Sequence, residues 1–209
     1  MQLIIFGATG MVGKQLVKQA LYNGHKVKAF GRNVFTEDLP KDDLLELVQG
    51  ALFDEGQVYQ AIKGCDAVLS SIGGDAAGMD VTRSLGMKNI VGRMQKSGVQ
   101  RIVAIGGIGI LDAEDGTLVM DEPEFPANYI PVSKEHFKAY EYLKASDLDW
   151  TIVCPPDIID AEVTGHIITA ADHLPAPDSH QVTAGDLALF MLNELEKKDF
   201  VHHRVGISN

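Results

Sequence analysis

The feature that most constrains the fold lies at the start of the chain, where an apolar segment runs directly into a glycine-rich turn. Residues 3–6 have the length and apolar character of a buried strand, and Gly7, Gly10 and Gly13 follow in the pattern G-x-x-G-x-x-G. Gly7 permits a sharp turn, Gly10 leaves no Cβ atom between the backbone and a pyrophosphate, and Gly13 lets the next helix pack close to the sheet. The N-terminus of that helix offers free N–H groups and the positive end of its dipole to phosphates. The pattern therefore predicts a dinucleotide-binding loop formed by Gly7, Thr9, Gly10, Met11, Val12 and Gly13.

Predicted strands and helices alternate along the rest of the chain. Apolar runs of strand length occupy residues 2–6, 26–30, 45–48, 67–71, 101–105, 150–153 and 203–207. Amphipathic helical patterns occupy residues 11–22, 57–62, 81–96, 133–145 and 184–195. Such alternation is typical of a parallel sheet whose right-handed crossovers place helices on both faces. We therefore expect an α/β fold, a Rossmann-type doubly wound parallel sheet, that forms a single domain over residues 1–209.

Residues that directly follow the predicted strands are expected to share one site. In doubly wound sheets a ligand binds beyond the carboxyl ends of the strands, near the point where the strand order reverses. Besides the glycine-rich loop, the expected cofactor contacts are Arg32, Asn33, Ser71, Ile72, Gly73, Gly106, Cys154, Pro155 and Pro156. Two irregular segments, 106–131 and 157–182, are expected to form loops on the substrate side, the first as a candidate lid or substrate loop.

The charge distribution favours a small anionic ligand over a large anionic partner. A net charge of −11 over 209 residues argues against nucleic acid or an anionic membrane as a partner. The first 36 residues nevertheless hold five basic side chains and no acid, which suits an anionic cofactor, although a chance run of exposed lysines would look the same. Cys65 and Cys154 stand far apart, and the histidines complete no metal-ligand set. We therefore expect no metal and a reduced, cytoplasmic protein.

The end of the second predicted strand indicates which dinucleotide is bound. Sites selective for NAD place an Asp or Glu there to accept a hydrogen bond from the ribose 2′-hydroxyl, whereas an Arg suits a 2′-phosphate. This chain reads Phe30-Gly31-Arg32-Asn33, with no acid in reach. Arg32 can bind phosphate bidentately and stack on adenine. We therefore expect NADP, with NAD as the less favoured cofactor.

These residues, with several further motifs, carry a family resemblance over nearly the whole chain. The motifs are G-A-T-G-x-x-G at Gly7 to Gly13, the turn at Arg32, C-D-A-V from Cys65, N-I-V from Asn89, and the run from Ser146 to Ile158 with its double proline. The chain resembles atypical short-chain dehydrogenases/reductases of the NAD(P)H-binding group, especially those of the flavin reductase/biliverdin reductase B type and, more distantly, NmrA-like proteins.

The resemblance implies NADPH-dependent hydride transfer to a flat conjugated acceptor such as a flavin, a tetrapyrrole or a quinone. It also implies that the turns at Gly73 and at Cys154 to Pro156 flank the nicotinamide and its ribose. Relatives often carry Arg or Met where this chain has Cys154, so this cysteine is interpreted as part of a buried apolar wall and not as a nucleophile.

The acid–base groups depart from the wider superfamily, whose members use a Ser after the fifth strand and a Tyr-x-x-x-Lys helix motif. Gly106 and Gly107 follow the fifth predicted strand here. Tyr140 and Lys144 match the Tyr-x-x-x-Lys spacing, but they fall in the last turns of their helix, away from the expected site. The resemblance instead favours Lys134 as the site lysine, at the start of a helix for which Ser133 is a candidate N-cap. Tyr129 is a second candidate catalytic residue, carried by a loop.

Two functions remain open from the sequence. The first is an NADPH-dependent reductase of a small flat acceptor, for which the missing acid pair is tolerable because charge delocalises over the acceptor ring. The second is a non-catalytic NADP-binding sensor of the NmrA-like kind. The sequence does not indicate which acceptor is used or which oligomeric state the protein adopts.

Overall fold

A computed structural model describes residues 1–75, 79–177 and 179–209. Its strands are β1 (Gln2–Phe6), β2 (Lys26–Gly31), β3 (Leu45–Gln49), β4 (Ala67–Ser70), β5 (Arg101–Ile105), β6 (Asp149–Cys154), β7 (Asp157–Ile159), β8 (Ile168–Ala171), β9 (Gln181–Thr183) and β10 (His203–Ser208). Its α-helices are α1 (Met11–Tyr22), α2 (Glu55–Ile62), α3 (Thr82–Ser97), α4 (Ile130–Lys144) and α5 (Ala184–Lys197). Among the described helices, none has both the length and the apolar character needed to cross a membrane.

The central sheet confirms the predicted doubly wound topology. Its strand order is β3-β2-β1-β4-β5-β6-β10-β8, and all neighbouring pairs are parallel except the edge pair β10–β8. The order reverses between β1 and β4, which places the expected ligand crevice beyond the carboxyl ends of these two strands.

Strands β7, β8 and β9 were not predicted, since they lie within the segment interpreted as a substrate-side loop. β7 and β9 pair in parallel as a separate small sheet, and β8 extends the edge of the main sheet. Each has only three or four residues, β7 is mostly exposed and β8 is mostly half-buried, so these two lack the buried apolar run that identifies a strand in sequence.

The two faces of β1 separate two hydrophobic cores. Leu3 and Ile5 are fully buried against α1 and α5, whereas Ile4 and Phe6 are fully buried against α2, α3 and α4. This period of two follows from the alternation of side chains along a strand. Because both faces are covered, β1 is rigid where it ends at the glycine-rich turn.

The segment 106–131 is anchored to the sheet along part of its length, which its irregular sequence does not reveal. The Arg204 guanidinium of β10 donates from Nη1 to the Ile110 carbonyl at 2.6 Å and from Nη2 to Asp112 Oδ2 at 2.7 Å. The Asp112 amide donates to the Asp172 carbonyl at 2.8 Å. Ile110 and Leu111 are fully buried. Buried contacts therefore fix the first part of this segment, and its role as a lid or substrate loop stays a prediction.

Candidate functional site

A cleft with two unequal lobes lies at the carboxyl ends of β1, β2, β4, β5 and β6. The smaller lobe has a volume of about 320 Å³ and the larger one of about 600 Å³. Both lobes are lined by Gly10 and by Ser71, Ile72 and Gly73, the residues at the strand-order reversal. The structure thus brings the glycine-rich turn and the segments after four further strands into one continuous cleft.

Main-chain contacts fix the glycine-rich turn. Gly7 has a φ of +80°, and a Cβ atom there would overlap the carbonyl of Ser71. A Cβ atom on Gly13 would overlap the carbonyl of Gly7, so α1 packs directly on the turn. The Ser71 hydroxyl donates to the carbonyls of Phe6 and Gly7, both at 3.2 Å. These contacts require glycine at both positions, as the sequence pattern indicates.

The N-terminus of α1 fits a bound pyrophosphate. Gly10 is exposed and precedes the helix without a capping side chain, and a Cβ atom there would meet only the Gly7 carbonyl, at 3.4 Å. The first turn contains no acid. Within the described residues, the amides of Met11, Val12 and Gly13 have no hydrogen-bond acceptor. Free donors at the positive end of a helix dipole, with no side chain in the way, suit the phosphates of a dinucleotide.

Arg32 lies in the smaller lobe, at the end of β2. Its side chain is exposed, and its carbonyl accepts a hydrogen bond from Gln49 Nε2 at 2.9 Å, which holds the backbone of the turn. No carboxylate of the described residues lies within 4.0 Å of its guanidinium. Asn33 is not part of this lining; its carbonyl instead accepts hydrogen bonds from Thr36. A role of Asn33 in cofactor binding remains a prediction.

The larger lobe is mainly apolar. The apolar lining residues come from five segments and are Met11, Val12, Ile72, Ile105, Ile108, Phe125, Pro126, Tyr129, Val132, Pro155, Pro156 and Ile158. Gly106, Pro155 and Pro156 also lie in this lining, and their contact with a cofactor stays a prediction. An apolar lining that excludes water is typical of sites that bind flat organic molecules.

One face of α4 and of the turn before it contributes to this lobe. Tyr129, Val132, Ser133 and His136 all line it, and their spacing of three, four and seven residues is that of one helix face. Tyr129 belongs to a short 3₁₀ turn directly before the helix and is 44% exposed. Tyr129 thus lies in the lining of the larger lobe, and its contact with an acceptor stays a prediction.

The helix α4 begins earlier than predicted, which changes the residues that face the cleft. It starts at Ile130, with Pro131 in its first turn, so Ser133 is a buried residue of the helix and not its N-cap. Proline is favoured in the first turn of a helix because it has no N–H to lose there. Lys134 follows Ser133 by about 100° of helix rotation. It is exposed and does not line the lobe, so its catalytic and cofactor-binding roles remain predictions without a supporting contact.

His136 was not predicted as a site residue, although it lies on the face of α4 that lines the lobe. Burial lowers the pKa of His136 to about 3, and the nearby charge of Arg83 lowers it further, while Glu135 opposes the shift. A histidine with this pKa is neutral near pH 7. His136 can therefore donate or accept a hydrogen bond in the lobe but cannot act as an imidazolium acid there.

Cys154 is fully buried behind the lining, where its sulfur would be 3.1 Å from a Cβ atom on Gly106. Burial raises the pKa of the Cys154 thiol to about 12. A thiol with this pKa carries almost no thiolate at neutral pH and is a poor nucleophile. This agrees with the interpretation of Cys154 as part of an apolar wall. Cys154 is not among the residues that line either lobe, so its contact with a cofactor stays a prediction.

Tyr140 and Lys144 lie outside the cleft; Tyr140 belongs to the hydrophobic core beside β6, and Lys144 is exposed. The Tyr140 ring is 7% exposed and makes an edge contact with Trp150, with ring centroids 5.7 Å apart. Lys144 Nζ lies 5.5 Å from the centroid of the same ring. The literal Tyr-x-x-x-Lys spacing is thus that of two neighbours on a helix face. The motif therefore lies away from the cleft, as expected from its place in the last turns of the helix.

Comparisons with known proteins agree with this geometry. The sequence model of a family described as NAD(P)H-binding matches residues 7–198. An uncharacterised protein of Bacillus subtilis is 27% identical over 219 aligned residues, which cover 99% of this chain and 98% of the relative. A crystal structure from Streptococcus pneumoniae, provisionally named an NADH-flavin reductase, has a TM-score of 0.85 and 27% identity, and covers 100% and 99% of the two chains.

A more distant structure shows the same fold. It is a short-chain dehydrogenase/reductase from Veillonella parvula in complex with NADP, with a TM-score of 0.76 and 18% identity. The match covers 100% of this chain and 94% of that one.

Proposed function

The chain belongs to the NAD(P)H-binding family, and we propose that it is an NADPH-dependent reductase that transfers hydride to a flat conjugated acceptor. The observation that carries this proposal is the two-lobed cleft, in which a smaller lobe that contains Arg32 meets a larger, mainly apolar lobe at the glycine-rich turn. A dinucleotide that spans both lobes would place its adenosine near Arg32 and its nicotinamide against the apolar lobe. The acceptor class, flavin-like, tetrapyrrole-like or quinone-like, is the one that the family resemblance implies, and the mainly apolar lining of that lobe supports it.

The residues of the smaller lobe and the turn bind and orient the cofactor. Free amides at Met11 and Val12 bind phosphate, and Arg32 distinguishes a 2′-phosphate from a 2′-hydroxyl. When bound, the reduced nicotinamide supplies the hydride. The carbonyls and amides of Ser71 to Gly73 lie at the junction of the lobes, where they can fix the position of the nicotinamide ribose.

The residues of the larger lobe hold the acceptor and exclude water. Phe125, Tyr129 and Pro155 offer flat apolar surfaces for a ring. The hydroxyls of Tyr129 and Ser133 and the neutral imidazole of His136 are the polar groups of the α4 face. A charged acid is not required, because a conjugated acceptor delocalises the added charge and can take its proton from water.

Steady-state NADPH oxidation tests the proposal. The purified protein should oxidise NADPH in the presence of at least one of a flavin, a quinone and a linear tetrapyrrole, and NADH should be used less efficiently. Tight NADP⁺ binding without turnover of any acceptor above the enzyme-free rate would refute the reductase.

A non-catalytic NADP-binding sensor is the alternative function. It is favoured by the position of Tyr140 in the core, which leaves the cleft without the Tyr-Lys pair that relatives in the wider superfamily use for proton transfer. The same assay separates the two functions, because a sensor would bind NADP⁺ and oxidise no cofactor.

A further inference from the structure

Arg83 brings a guanidinium group to an otherwise mainly apolar lobe. It belongs to the first turn of α3, is half-buried, and lines the larger lobe together with Phe125 and His136. Its Nη1 donates to the Asp75 carbonyl at 3.0 Å. Its Nε is buried and has no hydrogen-bond partner among the described residues. A guanidinium has five N–H donors, and the described residues supply a hydrogen-bond acceptor to its Nη1 only.

The acidic side chains around Arg83 are engaged elsewhere. Asp80 accepts hydrogen bonds from the amides of Thr82 and Asp75, at 3.0 and 2.8 Å. Glu135 accepts from the Ser84 hydroxyl at 2.6 Å and from Lys138 Nζ at 2.9 Å.

These acids modulate the charge of Arg83 without pairing with it. No carboxylate oxygen of the described residues lies within the 4.0 Å of an ion pair with its guanidinium. Burial lowers the pKa of Arg83, and Asp80, Glu135 and Asp75 oppose that shift through their charge. Arginine remains protonated in proteins, so the group stays a cation that has lost part of its hydration.

A half-buried cation with unused donors is best satisfied by an anion that enters the lobe. Asp157 is the lining residue of the larger lobe with a negatively charged side chain, and it is exposed to solvent. We infer that Arg83 binds an anionic substituent, a phosphate, sulfonate or carboxylate, on the acceptor, so that the reductase prefers flat acceptors that carry such a group. This inference rests on the proposed function, since it takes the larger lobe to be the acceptor site.

The position of Arg83 favours the acceptor over the cofactor as the source of the anion. Arg83 lines the larger lobe only, whereas its neighbour Thr82 lines the smaller lobe with Arg32. The phosphates of a dinucleotide already have the free amides at the start of α1 and the side chain of Arg32 as donors.

Equilibrium binding to the NADP⁺-loaded protein tests the inference independently of turnover. FMN and riboflavin share one ring system and differ in a phosphate, so flavin fluorescence titrations with both compare the anion alone. The variant is Arg83→Met, which removes the guanidinium and keeps an unbranched apolar side chain. The matched control is Arg93→Met on the same helix, where the guanidinium pairs with Glu55 at 2.6 Å outside the cleft. Naphthoquinone and a naphthoquinone sulfonate form a second pair of probes.

The wild-type protein should bind the charged member of a pair more tightly. Arg83→Met should weaken the binding of the charged member by about tenfold, the loss expected of a charge-assisted hydrogen bond. The affinity for the neutral member should stay within about twofold of the wild-type value. Arg83→Lys should restore part of the preference, because it keeps the charge but not the fork of donors. Arg93→Met should change neither affinity.

Three results would overturn the inference. One is an equal loss of affinity for both members of a pair in Arg83→Met, which indicates a structural effect. Another is a loss of NADP⁺ affinity with unchanged acceptor binding, which assigns the anion to the cofactor. The third is a wild-type protein that shows no preference for the charged member of either pair. Binding with the expected preference but without NADPH oxidation would instead refute the reductase and leave the anion site intact.

Discussion

The carbonyl oxygen of Gly7 occupies the space that a Cβ atom on Gly13 would need, so α1 rests directly on the main chain of the turn. Gly7 in turn lies against the carbonyl of Ser71 at the end of β4. Backbone from β1, α1 and the end of β4 is therefore in mutual contact with no side chain between. This arrangement sets the position of the α1 N-terminus, and hence of the phosphate donors, with little freedom to adjust.

Gly13→Ala should destabilise the protein and weaken NADP⁺ binding, because its methyl group overlaps main chain that cannot move aside. We expect a loss of about 1–3 kcal/mol in the free energy of unfolding, the usual effect of overpacking. Urea denaturation and NADP⁺ titration measure the two effects. Gly92→Ala is the control, since nothing lies within 4 Å of its added Cβ atom within α3. It should stabilise by about 0.5–1 kcal/mol. A Gly13→Ala protein of wild-type stability and affinity would contradict the packing described.

Arg32→Ala should change the cofactor preference. Loss of its guanidinium removes a charge-assisted contact to the 2′-phosphate and should weaken NADPH binding by about tenfold, with NADH binding changed by less than about twofold. Lys26→Ala is the control, because this substitution also removes one positive charge but at the opposite end of β2. Fluorescence titration of both cofactors measures the effect. Equal losses for NADPH and NADH would show that Arg32 does not contact the 2′-phosphate.

The main sheet and the glycine-rich turn could be predicted because their signals are local. β1 is an apolar run that ends at Gly7, and α1 begins directly after Gly10, the second of the three glycines, so both bounds follow from adjacent residues. The short strands β7 to β9 could not be predicted, since pairing with distant partners and not an apolar pattern makes them strands.

Lys134 and His136 show why the candidate site was only partly predictable. The family resemblance favours Lys134, whereas His136 lies on the face of α4 that lines the larger lobe. Because α4 starts three residues earlier than predicted, this face extends back to Tyr129 and Val132. Pro131 was a signal for the earlier start, because proline favours the first turn. From Tyr129, the positions three, four and seven residues on would then have identified Val132, Ser133 and His136. The unpaired donors of Arg83 depend on how α3 packs against α4, for which the sequence has no local signal.

Asp186→Asn should destabilise the segment that follows β7. The Asp186 carboxylate is fully buried and accepts hydrogen bonds from the amides of Thr164 and Gly165, at 3.0 and 2.9 Å, and from the Thr164 hydroxyl and Asn209 Nδ2. The NH₂ group of an Asn side chain would face N–H and O–H groups that now donate to the carboxylate. We therefore expect the free energy of unfolding to fall by about 2–4 kcal/mol. Asp147→Asn, where an exposed carboxylate accepts from Gln95, should change stability by less than about 0.5 kcal/mol.

The same aspartate should make stability depend on pH. Burial raises the pKa of Asp186, but the hydrogen bonds it accepts outweigh burial and hold the pKa below its usual range. A folded-state pKa below the unfolded value gives stability that is present above the ordinary Asp pKa and is lost as the pH falls through the folded value. Urea denaturation across acidic pH should therefore show a steeper loss in wild-type protein than in Asp186→Asn. Parallel curves for the two proteins would contradict the assignment.

Tyr129 and Tyr140 should differ in their effect on turnover. Tyr129→Ala removes an exposed ring from the lining of the larger lobe and should raise the KM for the acceptor by about threefold to tenfold, with the KM for NADPH unchanged. Tyr140→Phe keeps the buried ring against Trp150 and removes only the hydroxyl, so kcat and KM should stay within about twofold of wild type. A large loss of kcat in Tyr140→Phe would instead place Tyr140 in the reaction and contradict the arrangement of the cleft.

His136 should remain neutral across the physiological pH range and contribute to acid sensitivity. Its folded pKa of about 3 lies below the ordinary value of 6.5, so at a pH between these values His136 binds a proton in the unfolded chain but not in the folded protein. Stability should therefore fall as the pH decreases from 6.5 towards about 3. His136→Gln should remove the loss of stability that comes from this histidine, whereas His166→Gln, at an exposed position, should leave that loss unchanged. NMR titration of the imidazole gives the pKa directly, and Arg83→Met should raise it because the cation beside His136 is gone. An imidazole that titrates near 6.5 in the wild-type protein would show that His136 is solvated and leave an imidazolium available as an acid in the lobe.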